Sequence, residues 1–288
     1  MRVGCRESRL AISQAEIVIE ELKKYHLDWE FEIVMIKTKG DKFLDAALSE
    51  VGGKGLFVKE IEEALLAGTI DMAVHSMKDV PYELPEGLCI SAITRRENPR
   101  DVFISKDGIK LAELKPNARI GTSSLRRAAQ LKDIRLDIEI VPLRGNVPTR
   151  IRKMEELGID GIVLAAAGIK RLGLEEVVAE YFCLDVMVPA VGQGALAIET
   201  RIDDEINAFI ECVNDPSSVS AVKSERAFMR TLGGSCKIPI GAYAVVKGKA
   251  LNLIGMFEKD GRIRKGKISG DVSEAEEIGI KLAKELGE

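Results

Sequence analysis

One short pattern occurs twice in the chain, and this duplication limits the fold more than any other feature. Arg119-Ile120-Gly121-Thr122-Ser123-Ser124-Leu125-Arg126-Arg127-Ala128 echoes Arg2-Val3-Gly4-Cys5-Arg6-Glu7-Ser8-Arg9-Leu10-Ala11. Further on, a helix, a glycine, Asp160 and Gly161-Ile162-Val163-Leu164 echo a helix, Gly68, Asp71 and Met72-Ala73-Val74. Two matches in the same order predict two similar α/β lobes around a cleft. Each copy opens on a short strand that runs into a helix. In the first copy Ser8 is placed to cap a helix carrying Ala11, Ala15, Val18 and Leu22 on one face. The copies differ at one chemically important position: Asp79, just beyond the apolar run Met72-Ala73-Val74, aligns with Gly168.

The remaining segments fill out this plan. Residues 29–37 alternate like a strand, and 71–74, Leu88–Ile93 and 195–199 are further strands. A helical stretch at 203–213 is followed by a linker at 214–218. The last part holds a helix at 219–232, a glycine-rich loop at 233–241, three strand-like runs and a closing helix at 273–286, the pattern of a small α+β domain. The expected domains are residues 1–95 with 194–212, residues 99–189, and residues 216–288. A length of 288 residues accommodates two or three domains of ordinary size.

Composition excludes several function classes. The net charge of −4 argues against a general nucleic-acid binder. No apolar run reaches membrane-spanning length, and Met1-Arg2-Val3-Gly4 lacks the apolar core of a signal peptide. Five scattered cysteines with no CxxC spacing fit a reducing cytoplasm rather than a disulfide framework or zinc site. Two histidines, His26 and His75, leave little for a metal centre or a catalytic triad. The expectation is a cytoplasmic protein without metal, nucleic-acid or membrane partner.

Charged groups concentrate where strands give way to helices. Asp79 lies past the C-terminal end of a buried strand, beside Lys78, where open α/β sheets place ligands. Residues 115–153 are locally basic, and Arg126 and Arg127 fall in the first turn of a helix after Thr122-Ser123-Ser124. Amide groups at a helix start, hydroxyls and guanidinium forks together make an anion site. Arg144-Gly145-Asn146 repeats that geometry, and Arg6 with Ser8 gives a third copy. Such placements predict a ligand with several carboxylates or phosphates, against the alternative of solvated helix faces. Val51-Gly52-Gly53-Lys54-Gly55 lacks the P-loop pattern and reads as a loop bringing Lys54 to a ligand. His75 reads equally as a satisfied core residue or a participant, and Trp29 as core. Cys236 follows Gly233-Gly234-Ser235 and precedes Lys237, which would lower a thiol pKa; a buried inert thiol is the competing reading.

Taken together, these residues resemble the porphobilinogen deaminase family along nearly the whole chain. The resemblance rests on Arg6-Glu7-Ser8-Arg9-Leu10-Ala11, on Val51 to Phe57, on His75-Ser76-Met77-Lys78-Asp79-Val80-Pro81 and on Gly121 to Arg127. It continues through Leu143-Arg144-Gly145-Asn146-Val147, Pro189-Ala190-Val191-Gly192-Gln193-Gly194, and the cysteine loop with Ile238-Pro239-Ile240-Gly241. It implies three domains, two of them like type II periplasmic binding proteins and the third, small and α+β, carrying Cys236. It further implies a covalent dipyrromethane cofactor on that cysteine through a thioether. Four porphobilinogens would be added head to tail with loss of ammonia, and hydrolysis would release hydroxymethylbilane. By the same resemblance Asp79 is the catalytic carboxylate. Arg6, Arg126, Arg127, Arg144, Arg150 and Arg171 would receive pyrrole carboxylates, supported by Ser8, Lys54, Ser76, Lys78, Thr122, Ser124, Asn146 and Gln193. The family also implies a monomer.

Three departures stand out: Ser235 where a glycine is usual, Lys237 where glutamine is common, and Cys5 where threonine or another small residue is usual. None removes a reacting group. The rival readings are a non-catalytic periplasmic-type protein binding a polycarboxylate anion, and a nucleotide- or phosphate-using transferase. The second lacks a Walker or dinucleotide motif. Against the first stand Cys236 in its loop, the unduplicated Asp79 and the missing signal peptide.

Overall fold

The computed structural model describes residues 1–38, 40, 58–202, 204–234 and 238–288. The chain divides into two compact units, Met1–Glu97 with Ala195–Val219, and Asn98–Gly194 with Ser220–Glu288.

The first unit contains β1 (Arg2–Arg6), α1 (Arg9–Lys23), β2 (Glu32–Ile36), α2 (Lys59–Leu66), β3 (Met72–Ser76) and β4 (Leu88–Ile93). Ser8 caps α1 as its position predicts, its Oγ accepting the Ala11 amide at 3.2 Å. The predicted stripe Ala11, Ala15, Val18 and Leu22 is buried against Val3, Cys5, Met72 and Val74. The other face of the sheet is covered by Ile61 and Leu65 of α2, with Ile70, Ala73 and Leu88. A strand buried on both faces reads as a continuous apolar run, which is why Met72-Ala73-Val74 was legible.

The second unit opens with β5 (Asp101–Ser105), β6 (Arg119–Gly121), α3 (Leu125–Ile134), β7 (Glu139–Val141), α4 (Val147–Glu156), β8 (Gly161–Ala165), α5 (Ala166–Arg171) and β9 (Glu180–Tyr181). The chain then enters β10 (Leu196–Arg201), which completes the first sheet. Among the described residues that sheet runs β2-β1-β3-β10-β4 and the second β7-β6-β8-β5-β9. In both, three parallel strands are joined by an antiparallel one, β10 against β3 and β5 against β8. The duplication extends to individual hydrogen bonds. Asp71 donates its amide to the Arg2 carbonyl and accepts the Arg2 amide on its carboxylate at 2.6 Å; Asp160 does the same with Arg119, at 2.8 Å.

Helix α6 (Pro216–Thr231) begins in the first unit and continues from Ser220 into the second, whose remaining elements are the antiparallel sheet β11 (Ile240–Lys247), β12 (Ala250–Lys259), β13 (Arg262–Asp271), and α7 (Ala275–Gly287). Phe228, Leu251, Leu253, Ile278 and Leu282 form its core. Gly279 lets α7 approach α6 closely: a Cβ there would lie 2.1 Å from the Ser224 carbonyl oxygen. Helix α6 begins at Pro216, inside the stretch 214–218 that reads as a linker. The physical reason is a cap. Asp215 accepts the Ser218 amide at 2.7 Å, and proline suits a first helical turn because its missing N–H has no partner to lose.

Candidate active site

In the first unit the candidate groups gather at one edge of the sheet. β1 and β3 are parallel, so Arg6 at the end of β1 and Ser76 at the end of β3 lie at the same, C-terminal edge. β3 passes into a single 3-10 turn, Met77–Asp79. The buried Met77 anchors that turn, its amide donating to the Ala195 carbonyl at 3.0 Å, and Val80 closes it onto the Met77 carbonyl at 3.2 Å. Asp79 is left exposed at its tip, with Lys78 half-buried beside it. Gln14, buried on α1, donates to Ser76 Oγ at 2.8 Å, which ties the end of β3 to the helix capped by Ser8.

Beneath this edge three ionisable side chains are buried together. His75 Nε2 lies 3.0 Å from Glu199 Oε2; a carboxylate only accepts, so the imidazole donates. His75 is 5% exposed and Glu199 1%, and Glu62 of α2, at 6%, completes the group. Burial, reinforced by the negative charge of Glu199 and opposed by His75, pushes the Glu62 carboxyl from 4.5 up to about 7. Between those values the folded protein binds more protons than the unfolded chain, so Glu62 lowers stability as pH rises through that window and adds no further loss above it. Glu62→Gln is uncharged throughout and should flatten this slope when denaturant midpoints are compared at several pH values. An unchanged slope would show that Glu62 titrates normally.

In the second unit the candidate groups follow the ends of β6, β7 and β8. Thr122 Oγ1 accepts the Ser124 amide at 3.2 Å, and Ser124 caps α3 by accepting from Arg127 at 3.4 Å. Asn146 caps α4 by accepting the Thr149 amide at 3.0 Å. Arg150 donates through Nε to the carbonyl of Gly145, which sits at φ +123°, a conformation that favours glycine. Arg144 is half-buried in the same turn. Arg171, the last residue of α5, donates to the Gly194 carbonyl at 2.7 Å.

Arg126 and Arg127 are nearly buried, and both meet Asp101, the first residue of β5. Arg126 reaches Asp101 Oδ2 and Arg127 reaches Oδ1, each at 2.7 Å, while Gln193 donates to Oδ1 at 3.0 Å. Burial alone would raise the Asp101 carboxyl, but the two guanidiniums outweigh it and hold it below the usual carboxylate range. Two cations on one anion leave a net positive charge at the start of α3. The sequence offered no sign of Asp101 beyond a charge opening an apolar strand. Glu225 was missed likewise: fully buried, it accepts the Gly192 and Ala244 amides, each at 2.7 Å, and so fixes the turn that carries Gln193.

Lys54 and its glycine loop, and Cys236 with Ser235 and Lys237, lie outside the described residues. Among the described residues no group of three or more His, Cys, Asp or Glu could hold a metal ion, and no helix is long and apolar enough to cross a membrane.

At the sheet edge of the second unit, capped helix starts and guanidiniums are donors of the kind carboxylates need; in the first unit, the exposed Asp79 is an acceptor of the kind N–H groups need. Residues 1–208 match the family model described as "Porphobilinogen deaminase, dipyromethane cofactor binding domain", and residues 219–288 match "Porphobilinogen deaminase, C-terminal domain". A curated protein named porphobilinogen deaminase from Carboxydothermus hydrogenoformans is 53% identical over 287 residues, covering 99% of this chain and 92% of its own length. One of the same name from Geobacter sulfurreducens is 53% identical over 289 residues, covering 99% and 91%. Among solved structures, the methionine binding protein MetQ aligns with a TM-score of 0.46 at 20% identity, covering 74% of this chain and 89% of that one.

Proposed function

The chain belongs to the porphobilinogen deaminase family and polymerises porphobilinogen on a dipyrromethane cofactor; we propose that Asp79 is its catalytic carboxylate and Cys236 the point of cofactor attachment. The observation that carries the reading is the asymmetry of the duplicated lobes. Asp79 stands exposed beyond β3, while its counterpart Gly168 is buried within α5. Cationic and capping groups occur in both lobes, as a ligand with many carboxylates requires. The acceptor for reacting nitrogens occurs once, as a single reaction centre requires.

When bound, the dipyrromethane would supply a fixed primer whose free terminal pyrrole starts the chain. Four porphobilinogens are added head to tail, and hydrolysis releases hydroxymethylbilane. Loss of ammonia from a porphobilinogen leaves a cationic methylene-pyrrole. Asp79 accepts from pyrrole N–H groups, stabilises that positive charge and assists the proton transfer that restores the ring. Arg6, Lys78 and Lys54, with Ser8 and Ser76, receive acetate and propionate groups in the first lobe. Arg126, Arg127, Arg144, Arg150 and Arg171, with Thr122, Ser124, Asn146 and Gln193, do so in the second. Asp101 neutralises one of the two charges of Arg126 and Arg127, so both can remain buried while the helix start stays positive. The working form in this reading is a cytoplasmic monomer. A non-catalytic binding protein for a polycarboxylate is not favoured, since the relatives are named as deaminases.

Cys236→Ser tests the attachment directly. The variant, purified and weighed intact, should carry no pyrrole adduct, whereas a normal adduct on another residue would refute the assignment.

A further inference from the structure

We propose that the buried His75–Glu199 pair is a positioning element that holds β3 in register with β10 and thereby fixes the turn that presents Asp79. The inference rests on the reading of Asp79 as the reacting carboxylate and adds to it the device that holds Asp79 in place.

The duplicated lobe supplies an internal comparison. Gly4 pairs with Ala73 in the first sheet, and its repeat partner Gly121 pairs with Ile162 in the second, so Ala73 and Ile162 are equivalent. Two residues on, His75 corresponds to Leu164. On the antiparallel strands, Glu199 faces Ala73 and Ile104 faces Ile162, so Glu199 corresponds to Ile104. Leu164 and Ile104 belong to an apolar core with Met154 of α4. The same framework therefore accepts an apolar pair at these two positions. The lobe that carries the carboxylate has a hydrogen-bonded polar pair there instead, and the lobe with Gly168 does not.

The geometry explains what the pair adds. His75 faces Ala197 across the ladder, and Glu199 is two residues further along the same face, so their hydrogen bond is diagonal and specifies one alignment of the strands. Apolar side chains in those places would accept a slip more readily. β10 needs such an anchor because its other edge is irregular. Its pairing with β4 skips Ser91, with Ile198 facing Ala92 and Glu199 facing Ile90. The turn itself hangs from the same two strands: the Met77 amide bonds the Ala195 carbonyl just outside the ladder, two residues from His75 and two from Asp79. A buried polar pair retained for register rather than for stability fits its known energetics, since an apolar replacement of both partners is often neutral.

The test is the double variant His75→Leu/Glu199→Ile, which installs the second lobe's residues. It should fold with an unchanged or higher denaturant midpoint and carry the covalent cofactor. Its kcat should fall about 10–100-fold with little change in KM. Amide exchange at Met77 and Val80 should accelerate. His75→Gln, which can still donate to Glu199, should recover most of the activity. Wild-type kcat and exchange in the double variant would overturn the proposal. So would failure to fold, because the pair would then be a requirement of the core, and so would equal losses in the double variant and His75→Gln. Asp79→Asn, measured alongside, separates the two readings: normal turnover in that variant refutes the role of Asp79, whereas the exchange result reports on the register alone.

Discussion

Asp79→Asn is expected to keep its covalent cofactor and lose about 10²–10⁴-fold in turnover, the range of a positioned acid–base group. The amide keeps the size and one acceptor oxygen of the carboxylate but carries no charge to stabilise a cationic methylene-pyrrole. Its NH₂ group also presents donors where pyrrole nitrogens need acceptors. Stability should hardly change, because the side chain is exposed at the tip of the 3-10 turn. Single-turnover measurements with porphobilinogen, together with the intact mass of the purified variant, separate a chemical defect from failure to build the cofactor. Normal turnover would remove Asp79 from the mechanism, and a missing cofactor would move its role to assembly.

The second large effect concerns stability. Asp101→Ala leaves Arg126 and Arg127 nearly buried without their shared counter-ion. Removing one member of a buried charge cluster costs about 3–5 kcal/mol, because the remaining charges stay desolvated. The loss should appear as a lower denaturant midpoint. The pH dependence has the opposite sign to that of Glu62. The folded Asp101 carboxyl titrates below its unfolded value, so its contribution is complete above the unfolded value and disappears as pH falls toward the folded one. The gap between wild type and Asp101→Ala should therefore narrow in acid. A difference under about 1 kcal/mol near neutral pH would mean that the cluster relaxes or admits water.

Local features were the ones legible in the sequence. The stripe of α1, the buried run of β3 and the Ser8 cap are set by residues a few positions apart, and the repeated Arg2–Asp71 and Arg119–Asp160 pattern appeared as duplicated text. Asp79 was visible because its lobe has a counterpart to differ from. What escaped was decided by distant partners. Asp101 gains its meaning only when β5, from outside the repeated segment, pairs antiparallel with β8. Glu199 reaches His75 only because β10 returns to the first sheet after the whole second lobe has intervened. No spacing rule connects residues 124 positions apart. The start of α6 at Pro216 was obscured because Asn, Asp, Pro and Ser mark both linkers and helix starts, and only the Asp215 cap decides between them.

In the proposed function the product is built on a primer attached to Cys236. The most direct measurement is the intact mass of the purified protein, with peptide mapping around that residue. The expected result is an excess equal to two linked pyrrole units, confined to the Cys236 peptide. An unmodified mass that stays unmodified after incubation with porphobilinogen, or an adduct on a different peptide, would contradict it.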